Sequence, residues 1–294
     1  YDGSLGGAVL SLFAKEGSAM TLLSLEDVSV RLHNRTVLDS LNWQVEAGKI
    51  YSIIGPNGSG KSTLLKTCAG QLKPAQGKVL LQGRLLDSYP RRQLARHMAM
   101  LQQSQASLPD VSVRSLVSYG RFPHQPVWGA KRKEDEEIVE WAMAQTGTLP
   151  FAERKLSNLS GGERQRVWIA MTLAQQSGLI LLDEPTTYLD VNHQWEVMEL
   201  VHNLNRKYGI TIVMVLHDLN HAAACSDELL VMRAGEMYAS GPPEQVITDR
   251  MLRDVFGVRG SVGRDDRSGR MHCHIEGLLE AVDFSAQPAI AAVK

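Results

Sequence analysis

The chain of 294 residues is 44% hydrophobic and 21% charged, with a formal net charge of -1. That balance is ordinary for a globular protein of one large or two smaller domains, and it supplies no bulk field for nucleic acid or an anionic membrane. No apolar run approaches the roughly 20 residues that a bilayer-spanning helix needs, so action at a membrane requires a partner. Cys68, Cys225 and Cys273 are an odd, widely spaced set. They read as a reducing compartment and not as a disulfide framework.

Residues 1–19, YDGSLGGAVLSLFAKEGSA, lack a leading Met and carry one short apolar patch with no basic segment before it. A secretory signal is not expected there. The stretch reads as an expression remnant or a disordered extension, with the native start at Met20. From Leu22, LLSLEDVSVRL alternates as a strand does, and LNWQVEAGKIYSIIG carries a second strand into a glycine-rich loop. STLLKTCAGQL has leucines at helical spacing, and GKVLLQG and RHMAMLQQ read as further strands. Ser112 to Gly147 is helical in texture, with a polar interruption at FPHQPVWGAKRK. The stretch from about Ser104 to Lys155 lacks buried-strand runs, and a helical insertion is expected over about residues 104–165.

A helix follows LSGGE through RQRVWIAMTLAQQ. LILLDEP and ITIVMVLHD are continuous apolar runs, as expected of strands buried on both faces. A helix over Val191 to Tyr208 lies between them. SDELLVMRAGEMYASG reads as a terminal hairpin and PPEQVITDRMLRDVF as a last helix. Strands alternating with helices imply an α/β core with a mainly parallel sheet, beside an antiparallel β part. The main domain is expected over residues 20–258, with a C-terminal extension over 259–294.

GPNGSGKS, from Gly55 through Pro56, Asn57, Gly58, Ser59, Gly60 and Lys61 to Ser62, fits G-x-x-x-x-G-K-[ST] and leads into Thr63. Its glycines let backbone N–H groups curl around a phosphate, and the following helix points its positive end at the same oxygens. Lys61 supplies a cation for the β- and γ-phosphates, and Ser62 a hydroxyl for Mg²⁺. These residues describe a P-loop nucleotide-binding domain. Asp183 ends a buried strand and is placed to hold Mg²⁺; Glu184 beside it is a candidate general base for attacking water. In NLSGGERQR, Ser160, Gly161 and Gly162 put flexible backbone and a hydroxyl at another helix N-terminus. One reading is a second phosphate cradle; the other is a capping box of Ser160 with Glu163. The two are compatible.

GPNGSGKS, LSGGE, LILLDE, a glutamine after a strand (Gln103) and a histidine after a strand (His217) occur in that combination in this chain. Together they resemble the ATP-binding subunit of an ABC transporter, over Leu22 to about Gly257. The resemblance implies a head-to-tail dimer of two copies with two ATP molecules between them. Each γ-phosphate then lies between the phosphate loop of one copy and Ser160, Gly161 and Gly162 of the other. It further implies that Gln103 senses Mg²⁺ and the nucleophilic water. Thr187 to Asp190 crosses the dimer seam, and His217 contacts the γ-phosphate. The family usually places an aromatic residue before the first VL, to stack on adenine. RLHNRTVL has Leu32 and His33 there, which makes His33 the candidate for base contact.

SLVSYGRFPHQPVWG (Ser115 to Gly129) is similar to importer ATPases for ferric siderophores, haem and vitamin B12, and the rest is nearest to the ferric siderophore group. That implies membrane permease subunits, an extracytoplasmic binding protein, no nucleic-acid partner, and a peripheral position on the cytoplasmic face of the inner membrane. In HCH, His272 and His274 share one side of a strand, which is no full metal-ligand set. A soluble ABC ATPase of DNA repair or translation is the rival class. The short interval between Lys61 and Ser160, and the single copy of each motif, disfavour it. A metabolic P-loop kinase has no use for LSGGE.

Overall fold

Two strands open the described chain. β1 (Thr21–Leu32) and β2 (Arg35–Glu46) run antiparallel through a turn at His33 and Asn34, whose φ angles are 46° and 62°. Two successive left-handed residues give the turn whose twist matches that of the strands. The computed structural model describes residues 20–103, 110–125, 132–266 and 269–279. The 1–19 extension and part of the polar interruption after Gln125 lie outside them.

The run from Leu41 to Gly55, expected to carry one strand, is two strands in different sheets. Ala47 and Gly48 form a turn, with Gly48 at φ 80°, and β3 (Ile50–Ile54) begins beyond it. β2 alternates up to Glu46 and β3 is buried throughout, and the short turn between them leaves little in the string to mark the break. After β3 come α1 (Lys61–Cys68), β4 (Gln76–Leu81), β5 (Arg84–Leu85) and α2 (Arg91–His97). α2 runs straight into β6 (Met98–Leu101), so Arg96 and His97 are helical and not strand as their sequence suggested. β2-β1-β4-β5 make a four-stranded antiparallel sheet.

The helical region consists of α3 (Val113–Tyr119), α4 (Lys133–Gln145) and α5 (Gly161–Ala174), which pack on one another. A buried ion pair bolts them together. Arg121 Nε donates to Asp135 Oδ1 at 2.8 Å, while its Nη1 donates to the carbonyl of Ala174 and to Gln176 Oε1, both at 2.7 Å. β7 (Leu179–Asp183), α6 (Val191–Tyr208), β8 (Thr211–Val215), α7 (Leu219–Cys225), β9 (Glu228–Arg233) and β10 (Glu236–Gly241) follow. The second sheet runs β10-β9-β3-β8-β7-β6, parallel except for the β9–β10 hairpin.

Side chains along this sheet alternate between two cores. Ile50, Ile54, Ile180 and Leu182 face a core shared with α3 to α7. Tyr51, Ile53, Leu179 and Leu181 face the other, shared with α1 and the antiparallel sheet. Burial on both faces is why these strands read as unbroken apolar runs.

The expected last helix is broken. Pro243–Val246 (α8) and Asp249–Met251 (α9) are separate turns, because Thr248 leaves the helix and caps the second one, accepting from Met251 N at 3.1 Å. A wider turn, Leu252–Phe256, leads to a further hairpin of β11 (Val258–Arg264) and β12 (Met271–Leu278). It lies on α7, where Cys273 N donates to Asn220 Oδ1 at 2.7 Å. Cys273 joins the core while His272 and His274 face outward. Cys68, Cys225 and Cys273 are free thiols. Among the described residues, no helix is long and apolar enough to cross a membrane.

Candidate functional site

The loop between β3 and α1 turns through Gly55, Gly58 and Gly60, at φ 149°, 78° and 100°. At Gly60 a side chain is also excluded by space. A Cβ there lies 2.8 Å from Leu38 Cδ2 and 3.1 Å from the Val37 carbonyl, so β2 packs directly on the loop. Ser59 is buried and its Oγ has no hydrogen-bond partner. Lys61 is only 5% exposed and folds back, donating from Nζ to the carbonyls of Gly55 at 2.9 Å and Pro56 at 3.0 Å. Burial holds its pKa below the ordinary lysine value, against the pull of the Glu184 and Asp183 charges. A buried ammonium satisfied only by its own loop, an orphaned hydroxyl and a glycine turn at a helix N-terminus fit a polyphosphate. Thr63 follows Ser62 in the first turn of α1.

Asp183 closes β7 and is buried. Burial raises its carboxyl above the ordinary range, and a hydrogen bond from Ser62 Oγ to Oδ1, 2.9 Å long, works in the opposite direction. This pair of hard oxygen donors suits a divalent cation such as Mg²⁺. Glu184 takes a left-handed backbone, φ 53°. Its carboxylate receives three donors. His217 Nε2 lies 2.6 Å from Oε1; Gln103 Nε2 and Thr187 Oγ1 both reach Oε2, the latter at 3.0 Å. Gln103 follows β6, the two carboxylates end β7, His217 follows β8, and the glycine loop follows β3. All stand at the carboxyl ends of neighbouring parallel strands, where open α/β sheets hold their ligands.

Ser160, Gly161 and Gly162 begin α5 elsewhere. Ser160 is the N-cap, and the capping box with Glu163 forms in both directions, at 2.8 and 3.2 Å. The backbone N–H of Ser160 holds the Glu163 carboxyl below its ordinary range. Among the described residues, none of these three hydrogen-bonds to the phosphate loop of its own chain. Gly162 is instead a notch for α6: a Cβ there lies 2.1 Å from His193 Cδ2. His193 is in turn fixed by Asp190, which accepts from its backbone N at 2.9 Å and lies 2.7 Å from its Nδ1. His33 is exposed in the β1–β2 turn, a few residues from the Val37 and Leu38 contacts with Gly60.

The sequence places Thr187 in the stretch expected at the dimer seam but gives no sign of its bond to Glu184, and motif spacing does not single out His193. The only sequence signal for His193 is a large ring near a helix start opposite a glycine pair.

Comparison with known proteins agrees with this geometry. The family model described as ABC transporter matches residues 38–187. The petrobactin import ATP-binding protein FpuC of Bacillus anthracis is 46% identical over 237 residues, 81% of this chain and 87% of that protein. The iron(3+)-hydroxamate import ATP-binding protein FhuC of Bacillus subtilis is 42% identical over 261 residues, 89% of this chain and 97% of its own length. The hemin import ATP-binding protein HmuV of Pseudomonas aeruginosa is 40% identical over 253 residues, covering 84% and 97%. Among solved structures, the dimeric post-hydrolysis state of the ATP-binding cassette MJ0796 with ADP and Pi superposes with a TM-score of 0.65. It is 26% identical and covers 76% of this chain and 99% of that one. The chain belongs to the ABC transporter family and is an ATPase of that family.

Proposed function

We propose that the chain is the energy-supplying subunit of a ferric siderophore importer. The observation that carries the catalytic reading is the convergence of Gln103, His217 and Thr187 on Glu184, beside Asp183, Ser62 and the glycine loop. Lys61 and the loop N–H groups bind the phosphates; Ser62 and Asp183 hold Mg²⁺, with Gln103 beside them. Bound Mg²⁺ neutralises charge on the phosphates. Glu184 accepts the proton of the attacking water, and His217 contacts the γ-phosphate side. Ser160, Gly161, Gly162 and Asp190 act on the nucleotide of a second copy, which accounts for a cradle that stands apart from its own phosphate loop. His33 meets the adenine.

The dimer works at the cytoplasmic face of the cell membrane, beneath permease subunits that an extracytoplasmic binding protein loads. The cargo reading rests on the likeness to FpuC and FhuC, a petrobactin and an iron(3+)-hydroxamate import ATP-binding protein. Haem is the second reading, favoured by HmuV. Uptake of a radiolabelled ferric chelate by cells lacking this protein tests the assignment. Loss of energy-dependent uptake, restored by the parent chain but not by Glu184→Gln, is expected. Intact chelate uptake with failed haem uptake selects the second reading.

A further inference from the structure

We infer that Thr187 is a positioning residue for Glu184, keeping its carboxylate oriented while Gln103 and His217 turn to the nucleotide. The inference rests on Glu184 being the base. The three donors to that carboxylate are not equivalent. Gln103 and His217 are exposed, follow other strands, and have work to do on the nucleotide once it is bound. Thr187 is half-buried and belongs to the same turn as Glu184. Its backbone N–H closes on the Glu184 carbonyl at 3.3 Å, and its hydroxyl reaches Oε2 at 3.0 Å.

Two features stiffen this turn. Pro185 fixes one φ within it, and the β-branch of Thr187 restricts χ1. Glu184 itself has three side-chain torsions and a left-handed backbone. Without a local tether its carboxylate samples rotamers that do not face water, and misorientation of a reacting group lowers rate without touching ground-state affinity. Lys61 and the loop N–H groups, which carry nucleotide affinity, make no contact with the Thr187 hydroxyl among the described residues.

Thr187→Val keeps shape and branching but removes the donor; Thr187→Ser keeps the donor. For Thr187→Val we expect kcat to fall about ten-fold, the scale of one lost hydrogen bond to a charged group, with KM for ATP unchanged. Thr187→Ser restores most of the rate. In a Glu184→Gln background, Thr187→Val costs nothing further. Binding of a fluorescent ATP analogue and the melting temperature stay at parental values, while the ATP-bound dimer seen by size-exclusion chromatography persists longer. Parental kcat in Thr187→Val, equal losses in Val and Ser, or an additional loss on top of Glu184→Gln overturns the inference. A parental rate in Glu184→Gln alone overturns instead the assignment of the base, and this inference with it.

Discussion

Ser62 and Asp183 meet through a 2.9 Å hydrogen bond although one opens α1 and the other closes β7. The bond ties the phosphate loop to the acidic strand end, but it does not fully offset burial, which leaves the Asp183 carboxyl raised above the ordinary carboxylate value. A carboxyl raised on folding favours the folded state in acid, and that contribution is lost as pH climbs through the raised value. At neutral pH the buried charge therefore works against folding.

Asp183→Asn should accordingly melt higher than the parent at neutral pH in the absence of nucleotide. The gap should close as pH falls toward 3.8, the ordinary value. The same variant should lose Mg²⁺-dependent hydrolysis, as should the parent treated with a chelator. Thermal melts across pH, run beside an activity assay, check both halves. A lower melting temperature for Asp183→Asn at neutral pH means that the Ser62 bond outweighs burial.

Glu184→Gln should separate binding from chemistry. Removing a general base costs a factor of about 10²–10⁴ in rate. ATP binding should survive, because Lys61 and its loop are untouched and a negative charge near the phosphates is gone. The variant should then accumulate as an ATP-bound dimer on size exclusion, whereas Lys61→Ala should lose nucleotide affinity. Parental hydrolysis by Glu184→Gln removes Glu184 from the mechanism.

Much of this site is legible in the sequence because its chemistry is local. A glycine loop must precede a lysine and a hydroxyl, and a buried strand must deliver Asp183, so both appear as contiguous strings. The helix Val191–Tyr208 is equally plain, bounded by the Asp190 cap and a left-handed Gly209. What escapes is set by geometry that no string encodes. The break at Ala47 and Gly48 is masked because strand-like sequence runs up to it on both sides. The fragmentation of the last helix depends on Thr248 choosing to cap. The Thr187 hydroxyl meets a glutamate whose backbone is left-handed, and His193 of α6 fills the notch at Gly162 of α5, pairings of residue and neighbour that no motif spells out.

The adenine side tests a position where the residue type is unusual. His33 occupies a left-handed turn, φ 46°, so alanine would strain the backbone as well as remove the ring. Asparagine tolerates that conformation and isolates the ring's part. Stacking of a base on a ring is worth roughly 1–3 kcal/mol, so His33→Asn should raise KM for ATP by about five-fold or more with kcat kept. Parallel assays with GTP show how much base discrimination the ring supplies. Unchanged KM for both nucleotides removes His33 from the pocket.

The ion pair of Arg121 and Asp135 offers a stability test remote from the nucleotide. Both residues are buried, at 3% and 5% exposure, and Asp135 Oδ2 has no hydrogen-bond partner. Breaking such a pair leaves one charge uncompensated, at a cost of about 3–5 kcal/mol, far above a surface pair. Asp135→Ala should lose that much in denaturant unfolding. Arg121→Lys should also be costly, because a single ammonium does not reproduce the fork that serves Asp135, the Ala174 carbonyl and Gln176 together. Replacing both by apolar residues removes the uncompensated charge and should recover part of the loss. Recovery stays incomplete because the Ala174 carbonyl then loses its Arg121 donor. Nucleotide affinity should remain near parental in each variant that folds, since Lys61 and Ser62 stand on other elements. A double variant less stable than Asp135→Ala would mean that the Arg121 hydrogen bonds to Ala174 and Gln176, and not the charge pairing, hold α3, α4 and α5 together.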